Sequence, residues 1–250
     1  MNSTSLTGKK WIYREFNNDD IVFYKENFFL DEITSKLLSI RKIKKEDINL
    51  FLNPSIKESL PNPNILKDMN KATNHVVELI KKRKTFGIFG DYDVDGASST
   101  ALLGNYFKSI KHPFKIYIPD RKKEGYGPSK KSFDILIKEK VDLIFTVDCG
   151  TLSFEPIEYA KSKNVDVIVL DHHQSEINLP NAHSIINPNR FDDSSGLNYL
   201  SAAGVCFVFL VGLNKKLREN KWFEKNNIPE PNILNFLDLV SLGTVCDVVP

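Results

Sequence analysis

Short apolar runs recur through this chain from residue 86 onward, and most of them are followed by a segment with helical periodicity. The runs cover residues 86–89, 114–118, 143–147, 165–170 and 184–186, and the helical segments cover 97–110, 132–138, 154–162, 197–217 and 233–242. Brief apolar runs between helices are typical of buried strands joined by crossover helices. The pattern predicts an α/β fold with a mostly parallel sheet and helices on both faces.

The first third of the chain has a different character. Apolar residues there follow a helical period without a strong strand signal, and a segment rich in proline and asparagine interrupts them between residues 53 and 64. We therefore predict a small N-terminal helical region over residues 1–82. It would be followed by a catalytic α/β domain over residues 83–250.

Composition places the chain among ordinary globular proteins. Of its 250 residues, 41% are hydrophobic and 26% are charged, and the net charge is only +2. Local basic clusters such as residues 81–84 fit solvated loops, although an anionic substrate can also use such clusters. The three cysteines form no C-x-x-C pair, and the N-terminus has no signal-peptide pattern. We expect a cytoplasmic protein with reduced thiols that does not bind a membrane.

Acidic residues stand where three of the predicted strands end. They are Asp91, Asp148 and Asp171, and the first begins the string Asp91-Tyr92-Asp93-Val94-Asp95-Gly96. Ligands of open parallel sheets bind beyond the carboxyl ends of the strands. If this string were extended, its three carboxylates would face the same way and repel each other, and divalent cations would relieve that repulsion. A Ca²⁺ loop of the EF-hand type is excluded because the position of its final glutamate is Leu102.

Two histidines, His172 and His173, directly follow Asp171. An isolated histidine is usually structural, but an adjacent pair after a strand-end acid favours metal binding. Asp247 adds one more carboxylate within an apolar segment, where it needs a partner. Carboxylates combined with imidazoles suit Mn²⁺, Mg²⁺, Zn²⁺ or Fe²⁺. These residues predict hydrolysis of a phosphate ester with two divalent ions.

Four stretches together resemble the motifs of the DHH phosphoesterase superfamily, and within it the RecJ family of single-strand-specific exonucleases. They are residues 91–96, 147–150, 171–173 and 242–247. Further stretches support the narrower resemblance, namely residues 51–54, 118–121, 124–127, 186–188 and 203–205.

The resemblance implies degradation of single-stranded DNA from 5′ to 3′ with two Mn²⁺ or Mg²⁺ ions, in DNA repair and recombination. It also implies a role for each matching residue. The metal ligands would be Asp91, Asp93, Asp95, Asp148, His172 and Asp247, with Asp148 as the bridge. Asp171 would orient His172, His173 would contact the scissile phosphate, and Arg121 would bind a substrate phosphate. Asp148, His172 and His173 would thus be the catalytic residues.

The expected partners are single-stranded DNA and other repair or recombination proteins, and the expected state is a monomer. RecJ proteins continue into a second phosphoesterase-associated domain and an oligonucleotide-binding domain. The sequence up to Pro250 includes neither of them. We therefore expect metal binding to be retained, with weak or absent processive nuclease activity.

Three alternatives stay open: a DHH phosphatase or phosphodiesterase acting on short oligonucleotides or nucleotides, a non-catalytic binding protein, and an inactive fragment. Relatives of the first kind carry a histidine four residues before the Asp93 equivalent. That position is Phe89 here, which favours the exonuclease.

Overall fold

The computed structural model describes residues 5–12 and 14–249, which form two compact units divided between Leu60 and Pro61. The few residues outside those ranges belong to the polar N-terminal part of the predicted helical region and to the last position of the predicted catalytic domain. Among the described residues, no helix combines the length and the apolar character needed to cross a lipid bilayer.

The first unit is built from short helices that pack around Tyr24, Leu38 and Ile48. The side chain of Asn17 begins the first helix by accepting a hydrogen bond from the Asp19 amide, and Asp31 caps the second in the same way. The helices are α1 (Asn18–Phe28), α2 (Glu32–Ile40), α3 (Ile48–Leu52) and α4 (Ile56–Ser59).

The second unit contains a five-stranded parallel sheet with strand order β2-β1-β3-β4-β5. Its strands are β1 (Phe86–Gly90), β2 (Phe114–Tyr117), β3 (Leu143–Val147), β4 (Asp166–Leu170) and β5 (Ser184–Ile186). Its helices are α5 (Met69–Lys81), α6 (Val94–Ser109), α7 (Arg121–Glu124), α8 (Lys130–Lys138), α9 (Phe154–Ser162), α10 (Ala202–Glu219), α11 (Trp222–Asn226) and α12 (Leu237–Cys246).

Helices cover both faces of the sheet. Alternate strand residues such as Phe86 and Ile88 join one apolar core with α5, α6 and α10. Their neighbours on the strands, such as Phe89 and Ile144, join a second core with α8 and α9. Because both faces of β1, β3 and β4 are buried, these strands read as continuous apolar runs rather than alternating ones. The predicted fold class, a mostly parallel sheet covered by helices, is confirmed.

Several boundaries differ from the prediction for identifiable reasons. Helix α6 starts at Val94 rather than at residue 97, because Asp93 caps it by accepting a hydrogen bond from the Gly96 amide. Helix α10 starts at Ala202 rather than at residue 197, with Ser201 as its cap. The short helices α7 and α11 were not predicted. Helix α5, which the prediction grouped with residues 1–82, packs on α10 within the second unit. The proposed start of the catalytic domain at residue 83 stays a prediction.

Candidate metal centre

Residues that follow four adjacent strands form a row along the carboxyl edge of the sheet. The strands end in register, and the backbone ladder continues one residue further. The amide of Asp91 donates to Val147 O (3.3 Å), that of Asp148 to Leu170 O (3.0 Å), and that of Asp171 to Ile186 O (3.1 Å). The strand order reverses direction between β1 and β3, so Asp91 and Asp148 flank the topological switch point where open α/β sheets bind ligands.

Asp148 lies at the centre of the candidate site. Its backbone is left-handed, with φ 61°, which a non-glycine residue adopts only at an energetic cost. The side chain is only 2% exposed, and its Oδ1 atom lies 3.3 Å from His172 Nε2. Neither atom has a hydrogen-bond partner of suitable geometry among the described residues.

The remaining candidate ligands converge on this pair. Asp95 Oδ2 lies 3.8 Å and Asp247 Oδ2 lies 3.6 Å from His172 Nε2. Three overlapping groups have ligand atoms within 4.8 Å of one another. They are Asp91 with Asp93 and Asp148, Asp95 with His172 and Asp247, and Asp148 with His172 and His173. The structure thus brings together all six residues that the sequence predicts as metal ligands.

Asp95 reaches the site in a way that the sequence did not predict. It lies in the first turn of α6 rather than in an extended segment, so the expected alternation of Asp91, Asp93 and Asp95 is wrong. Its two carboxylate oxygens accept hydrogen bonds from the amides of Ala202 (2.6 Å) and Ala203 (2.9 Å), at the start of α10. A buried carboxylate is thereby held at the N-terminus of a second helix, where the helix dipole favours negative charge.

Asp171 orients the histidine next to the site, but that histidine is His173 rather than the expected His172. Asp171 Oδ1 lies 2.8 Å from His173 Nδ1 and also accepts the His172 amide, while Oδ2 accepts the Thr151 amide. Burial alone would raise the pKa of Asp171, but the hydrogen bonds from His173 and Thr151 outweigh it and lower that pKa to about 2. The bond to Asp171 in turn raises the pKa of His173.

The central carboxylates show the opposite electrostatic behaviour. Burial, and then the nearby charges of Asp95 and Asp93, raises the pKa of Asp148 to about 10. Burial likewise raises the pKa of Asp91 and of Asp95. Several carboxylates that share one buried space are stable as anions only when positive charge is supplied.

This donor set fits divalent cations. Asp148 Oδ1, His172 Nε2 and Asp91 Oδ1 are buried and lack hydrogen-bond partners among the described residues, and such atoms carry a large desolvation cost. Oxygen donors outnumber nitrogen donors, which suits Mn²⁺ and Mg²⁺. Direct coordination by each of the six residues stays a proposal.

Arg121 lies beside the same region. It is the first residue of α7, and its guanidinium stands over the ring of Tyr92, 5.1 Å from the centroid. Tyr92 lies between Asp91 and Asp93 in the sequence, so the contact with Tyr92 places the Arg121 guanidinium near the acidic segment. The contact between Arg121 and a substrate phosphate stays a proposal.

Several residues support the site in ways that the sequence did not predict, although Tyr126 and Asn187 lie in the stretches 124–127 and 186–188 that carry the resemblance. The hydroxyl of Tyr126 donates to Asp148 O (3.1 Å) and lies 3.3 Å from His173 Nε2. The Asn187 amide group donates to His173 O and Thr151 Oγ1, and that of Asn189 donates to His172 O. Asn187 occupies the strand-end position after β5, so the position itself was the available signal.

The parallel sheet and its acidic carboxyl edge define an α/β domain with a candidate site for divalent cations. The model of the DHH family, N-terminal domain, matches residues 85–244, and the chain therefore belongs to the DHH family. The single-stranded-DNA-specific exonuclease RecJ of Escherichia coli K12 is 38% identical over 200 residues, which are 80% of this chain and 34% of that protein.

Solved structures give the same likeness. A crystal structure of exonuclease RecJ bound to manganese matches with a TM-score of 0.62 and 30% identity, over 74% of this chain and 44% of that one. RecJ from Thermus thermophilus in complex with Mn²⁺ matches with a TM-score of 0.57 and 27% identity, over 74% of this chain and 25% of that one. The chain spans about a third of the length of the curated relatives that it matches.

Proposed function

We propose that this chain hydrolyses phosphodiester bonds of single-stranded DNA, as a 5′-to-3′ exonuclease that uses two Mn²⁺ or Mg²⁺ ions. The observation that carries the proposal is the pair of buried, partnerless atoms Asp148 Oδ1 and His172 Nε2, around which four further carboxylates gather among the described residues. The similarity to single-stranded-DNA-specific exonucleases supports the choice of substrate.

The six carboxylate and imidazole residues fall into two sets of ligands. Asp91 and Asp93 would hold one ion and Asp95, His172 and Asp247 the other, with Asp148 shared between them. When bound, two such ions supply an activated water molecule and neutralise charge on the phosphate group.

Other side chains handle the substrate. The contact with Asp171 raises the pKa of His173 and fixes its ring, which favours the protonated form that can donate a proton or a hydrogen bond to a phosphate oxygen. The Tyr126 hydroxyl, 3.3 Å from Nε2 of the same ring, limits its rotation further. Arg121 offers a planar guanidinium that matches the geometry of a phosphate group.

The phosphatase alternative receives no support from the residue at its diagnostic position. Phe89 is fully buried in the core between the sheet and α8, where it packs against Phe133. Its phenyl ring has no atom that could serve as a metal ligand. Four further points stay proposals: the substrate, the direction of cleavage, the repair partners and the monomeric state.

The direct test is nucleotide release from a 5′-phosphorylated single strand with Mn²⁺, compared with a duplex and with a dinucleotide. We expect release from the single strand, slower release from the duplex, and none in chelator. The variant Asp148→Asn should lose activity by about a hundredfold or more, because even residues that merely support metal ligands cost about 10–100-fold when they are changed.

The matched control is Asp47→Asn, which neutralises an exposed carboxylate in the other compact unit. It should retain full activity. Cleavage of the dinucleotide without cleavage of longer strands would favour the small-substrate phosphodiesterase instead. Full activity of the Asp148→Asn variant would exclude the proposed site.

A further inference from the structure

The edge of the sheet opposite the candidate metal centre carries a concentration of basic residues. Strands β2, β1 and β3 are parallel neighbours, so the three loops that lead into them lie together at the amino edge. These loops, with the helix ends that precede them, comprise residues 81–85, 108–112 and 138–142. We call their exposed basic side chains the amino-edge basic surface. Its members are Lys81, Lys82, Arg83, Lys84, Lys108, Lys111, Lys138 and Lys140.

Backbone hydrogen bonds fasten the three loops to one another. The amide of Phe86 donates to Pro113 O (3.1 Å), which joins the loops before β1 and β2. The amide of Asp142 donates to Thr85 O (2.8 Å), and the amide of Thr85 donates to Asp142 Oδ2 (2.8 Å), which joins the loops before β1 and β3. Since neighbouring strands are about 4.8 Å apart, the basic side chains form one continuous surface.

Charge on this surface is strongly unbalanced. The three segments contain eight basic residues and only two acidic ones, Glu139 and Asp142, whereas the whole chain has a net charge of +2. Both acids already pair with lysines, Glu139 with Lys115 and Asp142 with Lys84. Five of the basic residues have no carboxylate within 4.0 Å among the described residues, namely Lys82, Arg83, Lys108, Lys111 and Lys140.

Helix electrostatics explain only part of this pattern. A lysine in the last turn of a helix is favoured by the helix dipole, which accounts for Lys81, Lys108 and Lys138. Arg83, Lys111 and Lys140 instead lie just after their helices, with φ values of 53°, 54° and 61°. Glycine or asparagine is the usual residue in that conformation. The chain therefore places a cation at three positions where backbone preference favours another residue.

We infer that the amino-edge basic surface binds the phosphate backbone of a nucleic acid, without sequence preference, at a place separate from the catalytic edge. Closely spaced and unneutralised cations are the feature that recognises a polyanion. A lipid surface is the less suitable partner, because membrane-binding faces interleave basic with exposed apolar residues. Within these segments Ile110 and Val141 are buried, and every exposed residue is polar or charged.

The test is the affinity of the whole chain for a fluorescently labelled single strand, measured by anisotropy in chelator over a range of salt concentrations. The variant combines Lys82→Ala, Arg83→Ala, Lys111→Ala and Lys140→Ala. We expect its Kd to rise about tenfold at low salt. The slope of log Kd against log salt should fall by about 3, because each lost contact with a single strand contributes about 0.7. Circular and linear strands should compete equally, since this surface needs no free end.

The matched control removes the same number and types of charge from the other compact unit, through Arg41→Ala, Lys42→Ala, Lys44→Ala and Lys57→Ala. Lys42 also has a left-handed backbone, with φ 54°, so the control includes one such position where the variant includes three. It should leave both Kd and slope unchanged.

Equal effects of the two sets of substitutions would overturn the inference, as would absence of strand binding by the unmodified chain. Loss of binding to phosphatidylserine vesicles without loss of strand binding would assign the surface to lipid instead. Because the measurement is made in chelator, it does not depend on hydrolysis. A chain that binds through this surface but cleaves no DNA would exclude the proposed function alone.

Discussion

At the scale of single residues, Asp148 shows that a candidate metal ligand can be held in a conformation and an environment that cost free energy. Its left-handed backbone costs free energy, and the burial of its carboxylate beside other acids costs more in the absence of a cation. These costs are concentrated on the residue that faces His172 Nε2. Backbone strain and a strongly raised pKa together at one position are typical of a functional site rather than a structural one.

The raised pKa of Asp148 makes a prediction about protons. With a pKa of about 10 in the metal-free protein, its carboxyl group is protonated at pH 7. A metal ligand must be ionised, so Mn²⁺ binding at pH 7 should release about one proton, and affinity should rise as pH increases toward 10. Calorimetric titration in two buffers of different ionisation enthalpy measures this release.

The release should disappear in Asp148→Asn, which has no proton to lose at this position. A binding enthalpy that does not depend on the buffer would contradict the prediction. Asp171 provides an internal contrast, because its lowered pKa of about 2 leaves it ionised at pH 7 with or without metal.

The sequence was sufficient to find the acids that follow strands, because a buried apolar run ending in aspartate is a local signal. It was insufficient for contacts between distant segments. The amides that hold Asp95 belong to Ala202 and Ala203, more than a hundred positions away. Nothing in the composition of either segment indicates that pairing, and the same applies to Tyr126 and Asn187.

At the scale of helices, the site depends on three that meet around Asp95. Helix α6 carries Asp95 in its first turn, α10 begins against its carboxylate, and α12 ends just before Asp247. Gly243 of α12 packs directly on Asp95 and Ala203, so the three helices approach closely where the acid is held.

This close approach makes a prediction about Gly243. Alanine is normally better than glycine inside a helix by about 1 kcal/mol. In Gly243→Ala, however, the new Cβ would lie 2.8 Å from Ala203 Cβ and closer still to Asp95 Oδ1. We expect the free energy of unfolding to fall by about 1–3 kcal/mol, together with weaker Mn²⁺ binding. Chemical denaturation and metal titration would measure the two effects.

The control is Gly104→Ala within α6. There the new Cβ would meet Ile116 and Phe114 at 3.4 Å, which is ordinary van der Waals contact. This variant should be neutral or slightly more stable, with unchanged metal affinity. Equal effects of the two substitutions would mean that Asp95 does not depend on the packing of α12.

The order and type of the long elements were predicted correctly from periodicity, since five apolar runs, most of them separated by helical segments, permit few other folds. Helix starts were less predictable. They depend on which polar side chain reaches a free amide, as Asp93 does for α6 and Ser129 does for α8. The four- and five-residue helices α7 and α11 are too short for a periodic signal.

At the scale of the whole molecule, the candidate ligands come from segments spread between Asp91 and Asp247. Strands β1, β3 and β4 and helices α6 and α12 each contribute at least one of them or lead directly into it. A cation held by these ligands would connect parts of the chain that otherwise meet only through the core.

Metal should therefore stabilise the second compact unit as a whole. At a Mn²⁺ concentration about a hundred times Kd, binding contributes about 2.7 kcal/mol to folding. For a domain of this size we expect Tm to rise by about 5–10 °C, and chelator should reverse the change. Scanning calorimetry of the chain with and without Mn²⁺ measures it. The Asp148→Asn variant should show little shift, and an equal shift in that variant would place the stabilising ion elsewhere.

The aligned ends of the strands have a consequence for how this protein can be altered. Asp91, Asp148, Asp171 and Asn187 are spaced by the backbone ladder, and their side chains contribute nothing to that spacing. An insertion of one residue into β1, β3 or β4 would turn the acid to the opposite face while leaving its chemistry intact. The lengths of the three central strands must therefore be kept when this domain is engineered, because they set the positions of the strand-end acids. Changes in helices and loops do not alter those lengths.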